Sequence, residues 1–471
     1  MVISTLADTV LRQIETVQDT VNDTFFEPSI RIGVTGLARA GKTVFMTSLI
    51  ANLLDRGRMP HLMAEAEGRI ELAYLQPQPD DTVPRFDFEG HLQRLTGPDP
   101  VWPESTRSVS ELRLTLRVRR PGILAGLQGP RTIHLDFVDY PGEWLLDLGL
   151  LDVSFTQWSQ KVMEKMKSRA QATDFLKLSS DTDVTAPHDE QAAQALASSF
   201  TDYLSAARAA GYYDCTPGRF LLPGDLAGSP VLTFGPLLGD KSAPRGSLAR
   251  EMERRFEAYK KQVVRPFFEN HFARIDRQVV LVDALGAINA GPQAVEDMRT
   301  AMSDLLAAFK PGRNAFLTRL FQGRHVEKIL FAATKADHLH HTQHGRLTAI
   351  IEALLRSATD RARFAGAQTS ALAIASLRAT TEDTISHEGD ELGVVRGTLL
   401  ENGRQAAFYP GALPENPSDL LAPARAGAEN WLDEDYRVMN FAPSRLHLRP
   451  GDGPPHIRLD QAAQFLLGDK L

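Results

Sequence analysis

Apolar residues change their spacing along this chain, and each change marks a predicted element. In the first segment they recur at helical spacing with acidic and basic residues between them. This pattern predicts one amphipathic helix over residues 1–27. Because its polar face is acidic, we expect the helix to dock on the protein's own body or on a partner helix rather than on lipid.

A different pattern starts at residue 30 and predicts strands alternating with helices. An apolar run at 30–35 leads into a glycine-rich turn, and helical spacing follows at 43–54. Strands alternating with helices favour a mostly parallel sheet with helices on both faces, so the fold class is α/β. The other predicted strands lie near 110–118, 132–138, 278–282, 328–333 and 371–375, and the other helices near 295–308 and 347–358.

Between residues 142 and 277 no strand pattern occurs, and helical spacing predicts an inserted all-helical domain. Residues 56–104 are rich in Pro, Asp and Gly and indicate a surface excursion with short elements. The helical patterns of the insertion lie near 154–178, 190–209 and 246–275. Towards the end of the chain, strand-like pieces at 393–396 and 405–409 precede an amphipathic helix at 459–467.

Composition adds limits on partners and location. Of 471 residues, 43% are hydrophobic and 24% charged, near the average for soluble globular proteins. A net charge of −7 offers no basic field for nucleic acid, so we expect no nucleic-acid partner. The single cysteine, Cys215, has no disulfide partner and no zinc-like spacing around it. No apolar run approaches about 20 residues and no export signal is evident, so we predict a cytoplasmic protein without a transmembrane segment.

A phosphate-binding loop gives the strongest chemical signal, because it follows a strand and precedes a helix as the motif requires. Its glycines let backbone N–H groups point at phosphates, and the helix N-terminus adds a favourable dipole. Lys42 would reach the β- and γ-phosphates, and the Thr43 hydroxyl would bind Mg²⁺. The predicted nucleotide-binding residues here are Gly36, Leu37, Ala38, Arg39, Ala40, Gly41, Lys42, Thr43 and Val44.

Two further segments are predicted to sense Mg²⁺ and the γ-phosphate. Asp139 ends an apolar strand and begins an Asp-x-x-Gly sequence, so its carboxylate can hold the Mg²⁺ shell and the Gly142 N–H can contact the γ-phosphate. In the loop before the strand at 110–118, Thr106 is the candidate for another Mg²⁺ ligand, with Ser105 as the second choice. An ordinary turn and a plain polar loop are the structural alternatives.

A guanine-specificity motif of the form Thr-Lys-x-Asp follows the strand at 328–333. The Asp337 carboxylate can accept two hydrogen bonds from N1 and N2 of guanine, a donor pair that adenine lacks. Lys335 would lay its aliphatic stem over the base, and the Ser376 N–H would face the guanine oxygen. A solvated helix start is the alternative for the tetrapeptide. The predicted base-side residues are Thr334, Lys335, Asp337, Ser376 and Leu377.

Phosphoryl transfer also needs an oriented water and a cation for the transition state. Glu143, directly after Gly142, is the candidate for the water, and its charge would repel the γ-phosphate and keep basal turnover slow. Arg39 is the candidate cation because its position resembles the loop arginine of guanylate-binding proteins and atlastins; a guanidinium turned to solvent is the alternative. The predicted catalytic residues are Lys42, Arg39, Glu143 and Thr106, and the predicted metal ligands are Thr43, Thr106 and Asp139.

Several blocks of sequence also carry a family resemblance. They are Val34-Thr35-Gly36-Leu37 with Gly41-Lys42-Thr43, Val138-Asp139-Tyr140-Pro141-Gly142-Glu143-Trp144-Leu145-Leu146-Asp147-Leu148, Pro217-Gly218-Arg219-Phe220, Leu330-Phe331-Ala332-Ala333-Thr334-Lys335-Ala336-Asp337, and Pro455-His456-Ile457-Arg458-Leu459-Asp460 with Phe465-Leu466-Leu467-Gly468-Asp469-Lys470-Leu471. With these blocks the chain resembles the bacterial YcjX-like P-loop GTPases over nearly its whole length. The resemblance implies a GTPase fold with a helical insertion, a link to envelope or phage-shock-type stress, and a membrane-protein partner, hence a peripheral location at the inner membrane.

Together these observations predict a slow, Mg²⁺-dependent GTPase that binds GTP and GDP and works as a switch. Its output would pass through the helical insertion, which begins directly after the Asp-x-x-Gly loop. A nucleotide-binding scaffold with negligible turnover, an ATP-using P-loop enzyme and a nucleotide-dependent dimer remain open. The predicted division is an N-terminal helix (1–27), the GTPase domain (28–143 and 276–380), the helical insertion (144–275), an irregular, β-rich C-terminal region (381–455) and a closing helix (456–471).

Overall fold

The structure is a computed structural model that describes most of the chain. The predicted N-terminal helix lies outside the described residues except for Glu27. Within the described part, no helix is both long enough and apolar enough to cross a membrane. The described residues are 27–36, 40–104, 108–120, 129–238, 243–307, 326–364, 366–387, 390–426 and 439–471.

A seven-stranded sheet forms the centre of the described structure. Its strands are β1 (Ser29–Gly36), β2 (Ile70–Gln76), β3 (Ser110–Val118), β4 (Arg131–Asp139), β5 (Arg277–Val282), β6 (Lys328–Ala333) and β7 (Gln368–Ala373). They are arranged in the order β2-β3-β4-β1-β5-β6-β7. The five strands from β4 to β7 in this order run parallel. At one edge, β3 pairs antiparallel with β4, and β2 pairs antiparallel with β3. The predicted mostly parallel α/β sheet is therefore confirmed.

Helices cover both faces of this sheet. They are α1 (Lys42–Leu54), α2 (Met63–Ala66), α3 (Phe88–Thr96), α4 (Gly142–Leu146), α5 (Phe155–Met166), α6 (Thr173–Asp181), α7 (Glu190–Ala209), α8 (Gly218–Leu221), α9 (Leu248–Tyr259), α10 (Arg265–Asn270), α11 (Ala284–Ala290), α12 (Pro292–Ala307), α13 (His344–Phe364), α14 (Ser418–Ala426) and α15 (Leu459–Leu467). Every residue of β5 and β6 is buried, as expected for parallel strands covered on both sides. Side chains alternate between the faces: Val279 and Leu281 join the core formed with α1 and α15, and Val280 and Val282 join the core on the other side.

The described elements between β4 and β5, from α4 to α10, are all helical. Aromatic side chains fill their interior, and Trp158 stacks on Phe256 with ring centroids 4.9 Å apart. This interior is continuous with the core against Val280 and Val282 rather than separate from it. The helical region therefore packs directly on one face of the sheet, and the division into domains stays a prediction.

Four local details add to the sequence prediction or differ from it. The excursion at 56–104 contains β2, a partly exposed edge strand that shows little alternation. The predicted helix at 154–178 breaks at Arg169, whose backbone is extended and whose buried guanidinium donates to Asp214 and Tyr203. A buried cation therefore lies at the break, and its partners satisfy the charge that burial removes from water.

The strand β7 begins and ends earlier than its predicted range of 371–375. Its first residues are polar and not fully buried, so the spacing of apolar residues did not mark where it begins. Beyond it, β8 (Thr381–His387), β9 (Asp390–Thr398) and β10 (Gln405–Phe408) form a second, antiparallel sheet. The spacing of apolar residues did not reveal β8, since this strand is polar and largely exposed.

Candidate functional site

The parallel strands β4, β1, β5, β6 and β7 end at one edge of the central sheet, and a cavity of about 540 Å³ opens among the loops that follow them. This volume lies within the usual range for small-ligand sites. Its lining combines the phosphate loop, Glu143 directly after the Asp-x-x-Gly loop, and the Thr-Lys-x-Asp segment. The lining residues are Ala40, Gly41, Lys42, Thr43, Val44, Trp102, Pro103, Glu104, Glu143, Arg208, Thr334, Lys335, Asp337, His338, Ala375, Ser376, Leu377, Leu400, Asn440 and Phe441.

Most of the predicted site residues that the structure describes line this one cavity, and the others lie next to it. Gly36 and Gly142 contact each other at the base of the phosphate loop. Asp139 ends β4 beside Val34 of β1. Leu37, Ala38, Arg39, Ser105 and Thr106 lie outside the described residues, so their proposed roles stay predictions.

The phosphate loop has the local geometry that anion binding needs. A Cβ on Gly36 would lie 2.7 Å from the Leu281 carbonyl oxygen, so only glycine fits between β1 and β5. Gly41 is left-handed, with φ 77°, and stands at the N-cap of α1 without a side chain to accept the first N–H groups. An anion at this position therefore meets the positive end of the helix dipole without a competing capping side chain. Lys42 Nζ donates to the Gly36 carbonyl at 2.8 Å.

The oxygen atoms expected around a metal come from two buried residues. Thr43 is the second residue of α1 and 6% exposed, and Asp139 is 1% exposed at the end of the neighbouring strand β4. A hydroxyl and a carboxylate are hard ligands of the kind that Mg²⁺ takes together with phosphate oxygens. The donor set therefore fits Mg²⁺.

Glu143 lies between the phosphate loop and the helical region. A Cβ on the preceding Gly142 would overlap the Gly36 carbonyl, so the start of α4 packs directly on the loop. The Glu143 side chain is 6% exposed, and Arg208 Nη2 lies 2.9 Å from its Oε1. Within the described residues, neither carboxylate oxygen accepts a hydrogen bond. The contact with Arg208 is therefore electrostatic and lacks hydrogen-bond geometry. Sequence reasoning missed Arg208, whose local signal is only a basic residue in the last turn of α7.

Gly218, in the Pro-Gly-Arg-Phe block, lets the helical region pack closely against Glu143. A Cβ there would overlap the Glu143 carbonyl oxygen and lie 3.0 Å from the Glu143 Cβ. We expect Gly218→Ala to lower the free energy of unfolding by about 1–3 kcal/mol through overpacking, measured by urea denaturation. Gly149→Ala is the matched control, since a Cβ at Gly149 would meet no described atom within 4 Å. Equal stability of the two variants would contradict the close packing.

Asp147, directly after α4, connects the same segment to α9. Its carboxylate accepts hydrogen bonds from the Gly218 N–H at 2.8 Å and from the Tyr259 hydroxyl at 2.5 Å. Burial raises the pKa of Asp147 to about 7, although both hydrogen bonds oppose the shift. The folded protein therefore keeps a proton on this carboxyl at pH values where the unfolded chain has released it.

This raised pKa makes a pH-dependent contribution to stability. A proton bound more tightly in the folded state stabilises it fully below about pH 4, and the contribution is lost as the pH rises towards about 7. Asp147→Asn resembles the protonated carboxyl and should not lose this contribution. We expect the unfolding free energy of the wild type to fall relative to that of the variant by up to about 1.4 kcal/mol per pH unit, and to level off above pH 7. Denaturant titrations between pH 5 and 8 test this, and parallel profiles would contradict it.

Backbone conformation, an ion pair and a hydrogen bond position the residues on the base side of the cavity. Lys335 adopts a left-handed conformation with φ 62°, and its Nζ contacts the Asp283 carboxylate at 2.5 Å. Asp283 also accepts from the Gly286 N–H and so caps α11. The Asp337 side chain accepts from the Ala379 N–H at 2.9 Å and is 4% exposed. Asp283, which belongs to none of the sequence motifs, thus fixes the direction of the Lys335 side chain.

The loop that carries Ser376 is fixed by the end of the chain. Ala375 and Ile457 exchange two backbone hydrogen bonds, of 3.1 and 2.9 Å, and Arg378 donates its N–H to the Pro455 carbonyl. Ser376 is 7% exposed and lines the cavity beside Leu377. The closing segment therefore determines where the predicted guanine contact lies.

A wall of the cavity comes from the region of the second sheet. Phe441 is 2% exposed and meets the His338 ring edge-on, with centroids 5.2 Å apart. The Trp102 indole N–H donates to the Phe441 carbonyl at 2.8 Å. A Cβ on Gly397 would lie 2.6 Å from the Phe441 ring, so glycine makes room for it. Burial lowers the pKa of His338, which keeps its imidazole neutral near pH 7.

Comparison with known proteins gives a consistent result. Residues 30–471 match the YcjX-like family, DUF463. The chain is 37% identical over 457 residues to the Ras-like GTPase YcjX of Escherichia coli strain K12, covering 94% of this chain and 96% of that protein. It is 35% identical over 468 residues to the Ras-like GTPase YcjX of Shewanella oneidensis, covering 94% of each chain.

Proposed function

This chain belongs to the YcjX-like family, and from that premise we propose that it binds GTP and hydrolyses it slowly to GDP and phosphate with Mg²⁺ as cofactor. The observation that carries the proposal is the shared cavity, which Lys42, Thr43 and Asp337 all line. A phosphate site and a carboxylate that can read guanine within one cavity of about 540 Å³ match the two ends of a guanine nucleotide.

The residues divide into three tasks in this proposal. Backbone N–H groups of the phosphate loop and Lys42 hold the phosphates, and Asp337 selects the base while Asp283 directs Lys335. Thr43 and Asp139 would hold Mg²⁺, which when bound neutralises charge on the β- and γ-phosphates. Glu143 lines the same cavity, and in this proposal the γ-phosphate binds next to it.

Hydrolysis then needs one water molecule. Its oxygen forms a bond to the γ-phosphorus while the bond to the β–γ bridging oxygen breaks, and that electron pair leaves with GDP. Glu143 orients the water, and the proton released by the water ends on the phosphate product. Repulsion between the Glu143 carboxylate and the γ-phosphate keeps this step slow without a neutralising cation.

Binding and turnover by the purified protein test the proposal. We expect GTP and GDP to bind at least about 100-fold more tightly than ATP and ADP, because adenine offers the buried Asp337 carboxylate neither of the two donors that guanine supplies. Isothermal titration with each nucleotide measures the preference, and phosphate release with and without EDTA measures the need for Mg²⁺. Tighter ATP binding would favour an ATP-using enzyme, and tight GTP binding without phosphate release would favour a nucleotide-binding scaffold.

The wider context of the protein is also a proposal. A role in envelope stress and a membrane-protein partner, with a location at the inner membrane, are proposed from the family resemblance. The cytoplasmic location is proposed from the sequence, and a nucleotide-dependent dimer stays an open alternative. We propose that the helical region between β4 and β5 is the output of the switch, since Gly218 and Arg208 both touch Glu143 next to the phosphate loop.

A further inference from the structure

The charges that line the phosphate half of the cavity do not all have a task in the proposed mechanism. Among the described lining residues, the lysine and arginine side chains are Lys42, Lys335 and Arg208. Lys42 belongs to the phosphate loop, and Lys335 is held by Asp283 on the base side. Arg208 thus remains as a cation on the phosphate side without an assigned task.

A short series of contacts places Arg208 close to the phosphate loop. Lys42 Nζ lies 2.8 Å from the Gly36 carbonyl. Gly142 packs against that same carbonyl, and the next residue, Glu143, lies 2.9 Å from the Arg208 guanidinium. The guanidinium therefore lies near the position where the γ-phosphate would enter.

The contact between Arg208 and Glu143 leaves both partners able to bind something else. The Glu143 carboxylate is buried, yet no described residue gives either of its oxygens a hydrogen bond. A guanidinium carries five N–H donors in a planar fork and binds phosphate in a bidentate manner. The Arg208 side chain is 27% exposed, so it can turn into the cavity without leaving a buried site.

We propose that Arg208 is the cation that binds the γ-phosphate of GTP and neutralises charge in the transition state of hydrolysis. This inference rests on the proposed GTPase function. In the nucleotide-free protein Arg208 lies against Glu143, and in the GTP state its N–H groups donate to γ-phosphate oxygens. Glu143 then acts on the water while the arginine offsets its repulsion of the phosphate.

The position of Arg208 gives this contact a second effect. Arg208 stands in the last turn of α7, whose buried Phe200, Tyr203 and Leu204 belong to the core of the helical region. A phosphate that holds Arg208 therefore holds the end of α7, and GDP lacks that phosphate. The helical region would thereby register which nucleotide is bound.

Two substitutions on the same ion pair should act in opposite directions. We expect Arg208→Ala to weaken binding of a non-hydrolysable GTP analogue about 10-fold relative to GDP, and to slow single-turnover hydrolysis at least about 100-fold. Glu143→Gln removes the repulsion and leaves the arginine, so the analogue should bind about 3- to 10-fold more tightly relative to GDP. A merely structural ion pair would instead weaken binding in both variants.

Further variants keep the test decisive. Arg208→Gln removes the charge but retains length, and it replaces the alanine variant if thermal melting shows that the latter is unfolded. Arg254→Ala is the matched control, because Arg254 also pairs with a glutamate of the helical region, at 2.7 Å, but is 63% exposed and does not line the cavity. We expect it to behave as the wild type.

The possible results separate the two proposals. If the wild type neither binds nor hydrolyses GTP, the proposed function fails. If the wild type hydrolyses GTP and Arg208→Ala retains both its analogue-to-GDP ratio and its rate, only the inference about Arg208 is overturned. Loss of the rate in Arg39→Ala together with an unchanged rate in Arg208→Ala would overturn it as well, and would assign the cation to the phosphate loop.

Discussion

Replacing Asp337 by asparagine is expected to lower the affinity for GTP by at least about 100-fold and to raise the affinity for XTP. The Asp337 side chain is buried and accepts one hydrogen bond from the Ala379 N–H, which the asparagine oxygen can still accept. The amide NH₂ group would face the two donors of guanine, whereas it can donate to the extra oxygen of xanthine. Competition titrations with GTP, XTP and ATP measure the change.

This substitution separates base recognition from general damage to the site. Asp55→Asn, at an exposed position after α1, makes the same chemical change away from the cavity and should leave all three affinities unaltered. An equal loss of GTP, XTP and ATP binding in Asp337→Asn would mean that the carboxylate supports the fold and does not read the base.

Lys42→Ala is expected to weaken GTP binding about 10- to 100-fold and to slow hydrolysis at least about 1000-fold. Lys42 is 9% exposed, and its Nζ already points along the phosphate loop to the Gly36 carbonyl. A charged donor in so enclosed a position should stabilise the transition state more than it stabilises bound GTP, because negative charge accumulates beside it as the transition state forms. Titration and single-turnover phosphate release measure the two effects separately.

A lysine outside the site serves as the control for this change. Lys177→Ala removes one positive charge from the exposed surface of α6 and should leave binding and rate as they are. If Lys42→Ala loses affinity without any additional loss of rate, the lysine contributes to binding alone.

The strands and helices that follow one another along the chain could be predicted because their signals are local. The run Arg277–Val282 is buried at every position and reads as a strand between two layers of helices. The phosphate loop combines its glycines with a preceding strand and a following helix, and Gly36 and Gly41 have the close packing and the left-handed backbone that make glycine necessary. The buried strand and the phosphate loop could both be predicted because residues close together in the sequence determine them.

The rest of the candidate site depends on contacts between distant parts of the chain. Arg208 reaches Glu143 from 65 positions away in the sequence, and nothing in α7 marks that arginine as different from a surface cation. In the sequence Asp283 resembles an ordinary helix cap, and only the fold shows its contact with Lys335. The Phe441 ring fits at the cavity wall because residue 397 in β9 is a glycine, whose missing side chain leaves room for it.

The edge strand β2 and the polar strand β8 illustrate the same limit for the fold. The sequences of these two segments do not mark them as strands, since each has many exposed or half-buried positions and little alternation. Backbone pairing with β3 and β9 defines them, and pairing leaves no mark in the composition of a single segment.

The backbone pairing of Ala375 with Ile457 bears on how this protein is made. Residues near 457 leave the ribosome long after the phosphate loop, and α15 beyond them covers the core around β1 and α1. A growing chain therefore carries its phosphate loop long before the base-side loop is in place. Since a ligand stabilises only molecules that can bind it, cellular GTP would add to the stability of finished molecules and leave nascent ones to fold unaided.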